Sequence, residues 1–313
     1  MAVEPMAAGG AVFDPSRTAG RAGFDQWRTF WTAARLGWLM EANWTDPLLF
    51  AIYSIAKPLF GVFILVFMVS VISDASSAAL RGFVVIGSAL WSFVVSGIAG
   101  LAQSILDDRE RYRMLRYVYV SPSDFSVVVL GRGVARVGVG LIGAGISLAV
   151  GIVFLGAGVQ AGGIDIPLLV AAMALGLASV VAIGIFMAAI CIQTTQDSWH
   201  YPEAVAGALF IVSGAVFPLR VLPDPIQAFG LLSPLCWWIE GVRRALVPAS
   251  PTGIGGPGSL FERLVGTATP GTGTVLVVLL ATGALVTLAA ILAFRASERR
   301  AKDRGLFDRT TGS

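Results

Sequence analysis

Apolar runs at Leu48–Ile72, Gly82–Leu106, Val134–Leu155, Ile166–Ile192, Ala204–Val216 and Thr274–Phe294 take up most of the sequence, with polar stretches between them. Five of the six reach roughly the twenty residues that a helix needs to cross a bilayer. The fifth falls short unless it starts near Tyr201 and runs through Phe217. The runs predict an all-α integral membrane fold with six transmembrane helices over residues 47–294. Lys57-Pro58 breaks the first run: proline kinks the helix or marks the true start of the span, and Lys57 reaches back to the headgroups. Small residues recur inside the runs, as at Gly138, Gly140, Gly143, Ala144, Ser147 and Gly151 of the third, and predict close helix contact.

Ahead of the first run, residues 24–46 follow a different period. Phe24, Trp27, Trp31, Ala34 and Trp38 fall on one helical stripe, flanked by Arg21, Arg28 and Arg35 at seven-residue spacing. Tryptophan at headgroup level beside arginine reaching phosphate describes an amphipathic helix lying in the membrane interface. The polar positions Asp25, Gln26, Thr29, Thr32 and Glu41 argue against a span. Residues 1–23 read as a disordered N-terminus and not as a signal peptide, because they lack the basic-then-apolar order of one.

The densest charge lies between the second and third runs, from Asp107-Asp108-Arg109-Glu110-Arg111-Tyr112-Arg113 through Met114-Leu115-Arg116-Tyr117-Val118-Tyr119 to Ser121-Pro122. As one helix it would place Arg109, Arg113 and Arg116 on one face and Tyr112, Leu115 and Tyr119 on the next. Asp107 would pair with Arg111 and Glu110 with Arg113, and Pro122 would force a turn. A solvated basic loop would account for the arginines and leave the aromatic face without a purpose.

The segment from Phe217 to Gly273 has its own organisation. Pro218, Pro223, Pro225 and Pro234 cut it into pieces and predict half-helices at Ile226–Leu232 and Leu235–Leu246. Leu231, Leu232, Leu235, Trp237, Trp238 and Ile239 are too apolar for a solvated loop, so a helical hairpin is expected to dip back into the membrane, where protein or water must satisfy its backbone. Ser250–Gly273, rich in Gly, Pro, Thr and Ser, is expected to be an exposed loop.

Composition narrows the class. The chain is 56% hydrophobic and 13% charged, with a mean hydropathy of +0.80, which excludes a soluble domain. The alternating segments of an outer-membrane barrel are not seen. Arginines gather in the N-terminal segment (Arg17, Arg21, Arg28, Arg35), in the Asp107–Pro122 run and in the basic tail at 295–313. The loops after the first and third runs hold Arg81 and no basic residue, respectively. The positive-inside rule then puts both termini and the charged run in the cytoplasm, and 217–273 outside, in a multi-pass protein of the cell membrane. That topology separates Cys191 from Cys236, so no disulfide joins them. A net charge of +3, clustered at membrane flanks, gives no reason to expect nucleic acid as a partner.

Candidate chemistry is sparse. The one histidine, His200, has no cluster of metal ligands around it. Neither lysine stands in Gly-Lys-Ser/Thr, so this chain has no phosphate-binding loop, is not an ATP-hydrolysing enzyme by that route, and is expected to bind no cofactor itself. Ionisable or polar groups near the spans are few. Gln103 lies near the end of the second run and Glu203 at the start of the fifth, and these two are the candidates for touching a transported molecule.

The pieces resemble the permease subunits of type-two ABC exporters, which include the daunorubicin-type drug exporters and the polysaccharide exporters. Asp108-Arg109-Glu110, then Leu115, then Ser121-Pro122 stand where that family has an acidic helix followed by Leu-x-x-x-Pro. Phe217-Pro218-Leu219, Leu222-Pro223, Leu232-Ser233-Pro234-Leu235 and Glu240-Gly241-Val242-Arg243-Arg244 resemble its outer signature, the more specific of the two. The likeness covers Phe24 to Phe294. It departs at Tyr112-Arg113-Met114-Leu115, where family members commonly have Gly-Thr-Leu-Glu, and Arg116 stands where the acid would fall.

The resemblance implies two permease copies, alike or different, above two separate ATPase subunits that carry the ATP and magnesium. Asp108, Arg109, Glu110, Arg111, Tyr112, Arg113, Leu115, Arg116, Tyr119 and Pro122 would form the coupling helix seated on the ATPase, with the Gln193–His200 loop beside it. Phe217, Pro218, Leu222, Pro223, Pro234, Leu235, Trp237, Trp238, Glu240 and Arg243 would form an extracellular gate. The apolar spans favour a hydrophobic drug or lipid-like cargo, with a polysaccharide or glycolipid as the alternative. A stand-alone secondary carrier or channel is the rival reading and requires a midplane charge. A membrane enzyme lacks its nucleophile or metal.

Overall fold

The structure, a computed structural model, describes residues 15–42, 59–64, 78–121, 123–155, 163–194, 200–248 and 250–305, with residues 52, 56, 67, 68 and 159. The helices with full bounds among these are α1 (Pro15–Ala42), α2 (Ala78–Leu106), α3 (Leu115–Val120), α4 (Phe125–Leu155), α5 (Ile166–Gln193), α6 (Tyr201–Val212), α7 (Asp224–Leu232), α8 (Pro234–Leu246), α9 (Leu260–Val265) and α10 (Thr272–Arg304). Among the described residues four segments are long and apolar enough to cross a membrane: Leu80–Arg111, Phe125–Phe154, Ile166–Gln193 and Thr272–Arg304. They match the second, third, fourth and sixth expected spans. Most of the first expected span, residues 1–14 of the expected disordered N-terminus, residues 195–199 of the Gln193–His200 loop, Pro122 and residues 306–313 of the tail lie outside the described residues.

The fifth span differs from expectation. α6 has 12 residues, about 18 Å at 1.5 Å per residue, well under the roughly 30 Å hydrocarbon core. It stops because Ser213 turns its hydroxyl back onto the Phe210 carbonyl (2.8 Å) and Gly214 takes φ +68°, a left-handed conformation that glycine adopts without strain. The backbone then runs through a buried turn to Pro218 instead of continuing as helix.

α2 is the central helix. Its apolar stretch is 78% buried, against 28% for α10. α4 and α5 flank α2, α10 packs on α5, and α1 crosses the start of α4. α1 begins at Pro15, so residues 15–23 are helical where disorder was expected. It seats Ala33, Ala34 and Gly37 on α4 and leaves Trp27, Trp31 and Trp38 exposed. The docking is close: a Cβ on Gly131 of α4 would lie 2.6 Å from the Phe30 carbonyl oxygen.

The chain thus has two ends. At one, the end of α2, the start of α4 and the ends of α5 and α10 converge on a small apolar cluster of Ile105, Leu115, Phe125, Ile192 and Phe294. At the other, α8 packs on α2, α5 and α10, α7 lies against α6 and α8, and α9 packs on α7.

Candidate functional site

At the first end α2 does not stop at Leu106. It passes into a π-helical turn at Asp107–Arg111, a wider winding that re-aims successive side chains. Asp107 accepts from Arg136 Nη2 (2.6 Å), and Arg136 Nε also donates to Glu41 of α1 (3.0 Å). Asp108 pairs with Arg132 of α4. Arg109 donates through Nη1 to the carbonyls of Cys191 (3.0 Å) and Thr194 (2.8 Å), so its charge meets the carbonyl-rich, negative end of α5. Its Nε pairs with Glu110 (2.7 Å). Asp107, Asp108 and Arg109 are buried. This charged knot joins α1, α2, α4 and α5.

The expected single helix over the charged run is therefore not the arrangement found. Asp107 turns to Arg136 instead of Arg111, and Glu110 to Arg109 instead of Arg113. Arg113 takes φ 51°, a left-handed conformation that costs an L-residue about 1–2 kcal/mol, and there the winding breaks before α3 begins. The physical reason is that charge in an apolar surrounding must be paired. Partners on α4 and α5 draw Asp107, Asp108 and Arg109 inward, and the chain must turn to leave again. What protrudes is a tip: Arg111, Arg113 and Tyr117 are exposed, and Tyr112 is half-buried with the guanidinium groups of Arg111 and Arg132 5.7 Å and 5.9 Å from its ring centre. Leu115 is buried in the apolar cluster and anchors α3. The side chains of Arg116 and Tyr119, like Pro122, lie outside the described residues.

The second end is a lid. The proline positions set its elements: Pro223 stands just before α7 and Pro225 in its first turn, and Pro234 opens α8. Leu235, Trp237, Trp238, Glu240 and Arg243 of α8 are all buried. Trp238 lies edge-to-face on Phe93 of α2, ring centres 5.6 Å apart, and its ring covers Gly176 of α5 so tightly that no Cβ would fit there. Trp237 donates to the Leu231 carbonyl (2.8 Å), closing α7 onto α8. Pro234 is buried, Phe217, Pro218 and Leu222 are half-buried, and Pro223 is exposed.

Two side chains, Glu240 and Arg243, lock this lid. Glu240 is 2% exposed and accepts from Arg244 Nε (2.8 Å), Thr252 Oγ1 (2.9 Å) and the Gly253 amide (2.8 Å). Arg243 is 1% exposed. It donates through Nη2 to the carbonyls of Gly214 and Ala215 (both 2.9 Å), and its guanidinium centre sits 3.5 Å from the Phe83 ring centre on α2. α8 is thereby tied to α2, to the turn after α6, and to the 252–253 loop.

The 250–273 segment is not the exposed loop expected of its composition. Gly253–Gly256 are buried, Gly253 and Gly256 pair with Leu219 and Ala268, and α9 forms with Ser259 as its N-cap. Gln227 bridges the Leu222 carbonyl and the Leu260 amide. On the surface Arg263 of α9 pairs with Asp224 of α7, and that hydrogen bond holds the Asp224 carboxyl below its usual range and raises Arg263.

Of the two residues singled out for cargo contact, Gln103 is half-buried on α2 and Glu203 is exposed in the first turn of α6. Sequence reasoning missed Glu41, Arg132, Arg136, Thr252 and Gly253. Arg136 carried a signal, since it lies inside the third apolar run, where an ionisable residue demands a partner. Among the described residues, no group of three His, Cys, Asp or Glu side chains could hold a metal.

A family model described as ABC-2 type transporter matches residues 29–247, a stretch that holds the charged knot and the lid helices α7 and α8. No curated protein matches the chain.

Proposed function

The chain belongs to the ABC-2 type transporter family, and from that premise we propose that it couples ATP hydrolysis on separate subunits to outward movement of a hydrophobic or amphiphilic molecule. Its place in such a transporter is the membrane permease component. The observation that carries the coupling step is the division of the charged run into a buried knot and an exposed tip.

The tip at Arg111, Arg113 and Tyr117 is the ATPase-docking surface. Exposed charges set register and approach, and the tyrosine fills a groove. The buried half of the run serves another purpose. Asp107, Asp108 and Arg109 are positioning residues that fix the tip to α1, α4 and α5, so that a push on α3 moves these helices as one body. Leu115 transmits the same push into the apolar cluster shared with α5 and α10.

With the basic tip in the cytoplasm, the lid lies outside and acts as the outer gate. A second permease, identical or different, completes the pathway. The exposed faces of the spans are apolar and suit a drug or a lipid-like cargo. Inside-out vesicles carrying the chain and its ATPase should accumulate a fluorescent amphiphile on addition of ATP, and fail to do so with a non-hydrolysable analogue. Accumulation that ignores ATP and follows a proton gradient would assign the chain to a secondary carrier instead.

A further inference from the structure

We infer that a cleft between the last turns of α5 and α10 binds the headgroup of one anionic phospholipid. The cleft has a volume of about 270 Å³ and is walled by Phe186, Ile190 and Ala293, with Gln193, Thr194, Ser297 and Arg300 at its polar end. It lies outside the lid and meets the charged knot only at Thr194, whose carbonyl Arg109 takes, and its occupancy does not depend on the transport reading.

The polar end selects the sign of the ligand. The Gln193 amide spends both hydrogens on Ser297, at the carbonyl (2.8 Å) and Oγ (3.0 Å). Ser297 donates to the Ala189 carbonyl (2.6 Å), and Thr194 turns its hydroxyl onto the carbonyls of Ile190 and Cys191. The uncharged donors are committed. Arg300 remains, exposed and without an ion-pair partner among the described residues, and no carboxylate lines the cleft. The nearby Glu298 is engaged by Lys302 (3.0 Å). Residues 295–304 hold five basic and two acidic side chains, a net +3. The carbonyls that end α5 are already taken by Arg109 and by the Thr194 hydroxyl, so the open charge at the cleft is that of Arg300, and it suits an anion.

Depth selects a lipid. α10 has 33 residues, about 50 Å, against a hydrocarbon core of roughly 30 Å. A span that starts near Thr274 leaves the core near Phe294, which sets Arg300 about 9 Å further out, at phosphate level. One and two turns further into the core on the same face of α10, Ala289 and Val286 continue the apolar wall, where an acyl chain would lie. Basic pockets between membrane helices recognise anionic headgroups in this way.

The test is native mass spectrometry of the purified full chain, titrated with phosphatidylglycerol or phosphatidylcholine. Wild type should retain one phosphatidylglycerol per chain in preference to phosphatidylcholine. Arg300→Gln should weaken that retention about tenfold, the loss expected for one charge-assisted hydrogen bond. Ala296→Trp, an exposed site that fills the cleft and leaves every charge in place, should weaken it equally, while Arg304→Gln should not. Unchanged melting temperatures show that the variants are folded. Equal retention of both lipids, equal loss in Arg300→Gln and Arg304→Gln, or indifference to Ala296→Trp would overturn the proposal. Full competition by soluble glycerophosphoglycerol would assign the site to a free phosphate ester, and loss of a lipid-free dimer in the cleft variants would assign it to a second copy of the chain; either result sinks the lipid.

Discussion

Glu240→Gln is the substitution that most directly probes how the lid is held. The carboxylate is 2% exposed and satisfies three donors at 2.8–2.9 Å, from Arg244, Thr252 and Gly253, while Arg243 Nη1 stands 3.9 Å away. A glutamine keeps one oxygen acceptor and turns an N–H₂ group toward donors it cannot accept from. It also leaves the Arg243 charge buried with no counter-ion but Phe83 and two carbonyls. Removing one member of a buried ion pair costs about 3–5 kcal/mol, which for a fold of this size lowers the melting temperature by roughly 5–8 °C. Arg243→Met orphans the Gly214 and Ala215 carbonyls at about 1–3 kcal/mol each. The double variant removes both charges, so its loss should fall short of the sum of the single losses by about 1.5 kcal/mol or more. Thermal unfolding of the purified protein in mild detergent measures all three. If Glu240→Gln melts with wild type, or the two losses simply add, the lid is held by packing and the ionic lock is wrong.

Gly176→Ala drives a methyl into the Trp238 ring and should destabilise by about 1–3 kcal/mol in the same melt, with Trp238→Leu relieving part of the loss. Asp108→Leu leaves Arg132 buried and unpaired and should cost about 3–5 kcal/mol, whereas Asp108→Leu with Arg132→Met should recover most of it, because a hydrophobic replacement of the whole pair is near neutral. Asp224 is held below its usual carboxylate range by Arg263. Its contribution is therefore complete above the unfolded value of about 3.9 and fades as pH falls through the lower folded value. The melting difference between wild type and Asp224→Asn should stay constant from pH 8 to 5 and shrink only in stronger acid.

Much of the lid was legible because proline is explicit. Pro223, Pro225 and Pro234 fixed α7 and α8 to within a few residues of the predicted half-helices, and the tryptophans at 237 and 238 announced burial. The four long apolar spans were legible from length alone. The charged run was not, because its partners are distant: Arg136 lies 29 positions from Asp107 and Thr194 85 positions from Arg109. Local helical spacing offered Arg111 and Arg113 as nearer partners, and tertiary pairing overrode it. The 250–273 segment failed for the opposite reason. Its glycines read as looseness, but at Gly253 and Gly256 they permit the backbone to lie against Glu240, Arg243 and Arg220. Length alone misjudged α6, whose end is set by Ser213 and Gly214 and not by hydropathy.

The central claim is that Arg111, Arg113 and Tyr117 dock an ATPase while the charges behind them only hold the tip in place. Affinity capture of the full chain from mild detergent, read by mass spectrometry and ATP hydrolysis, tests it directly. Wild type should bring down a stoichiometric subunit with a phosphate-binding loop, and Arg111→Glu with Arg113→Glu and Tyr117→Ala should lose that subunit while melting like wild type. A chain that is captured alone yet transports, or a triple variant that retains the ATPase at the wild-type level, would contradict the account.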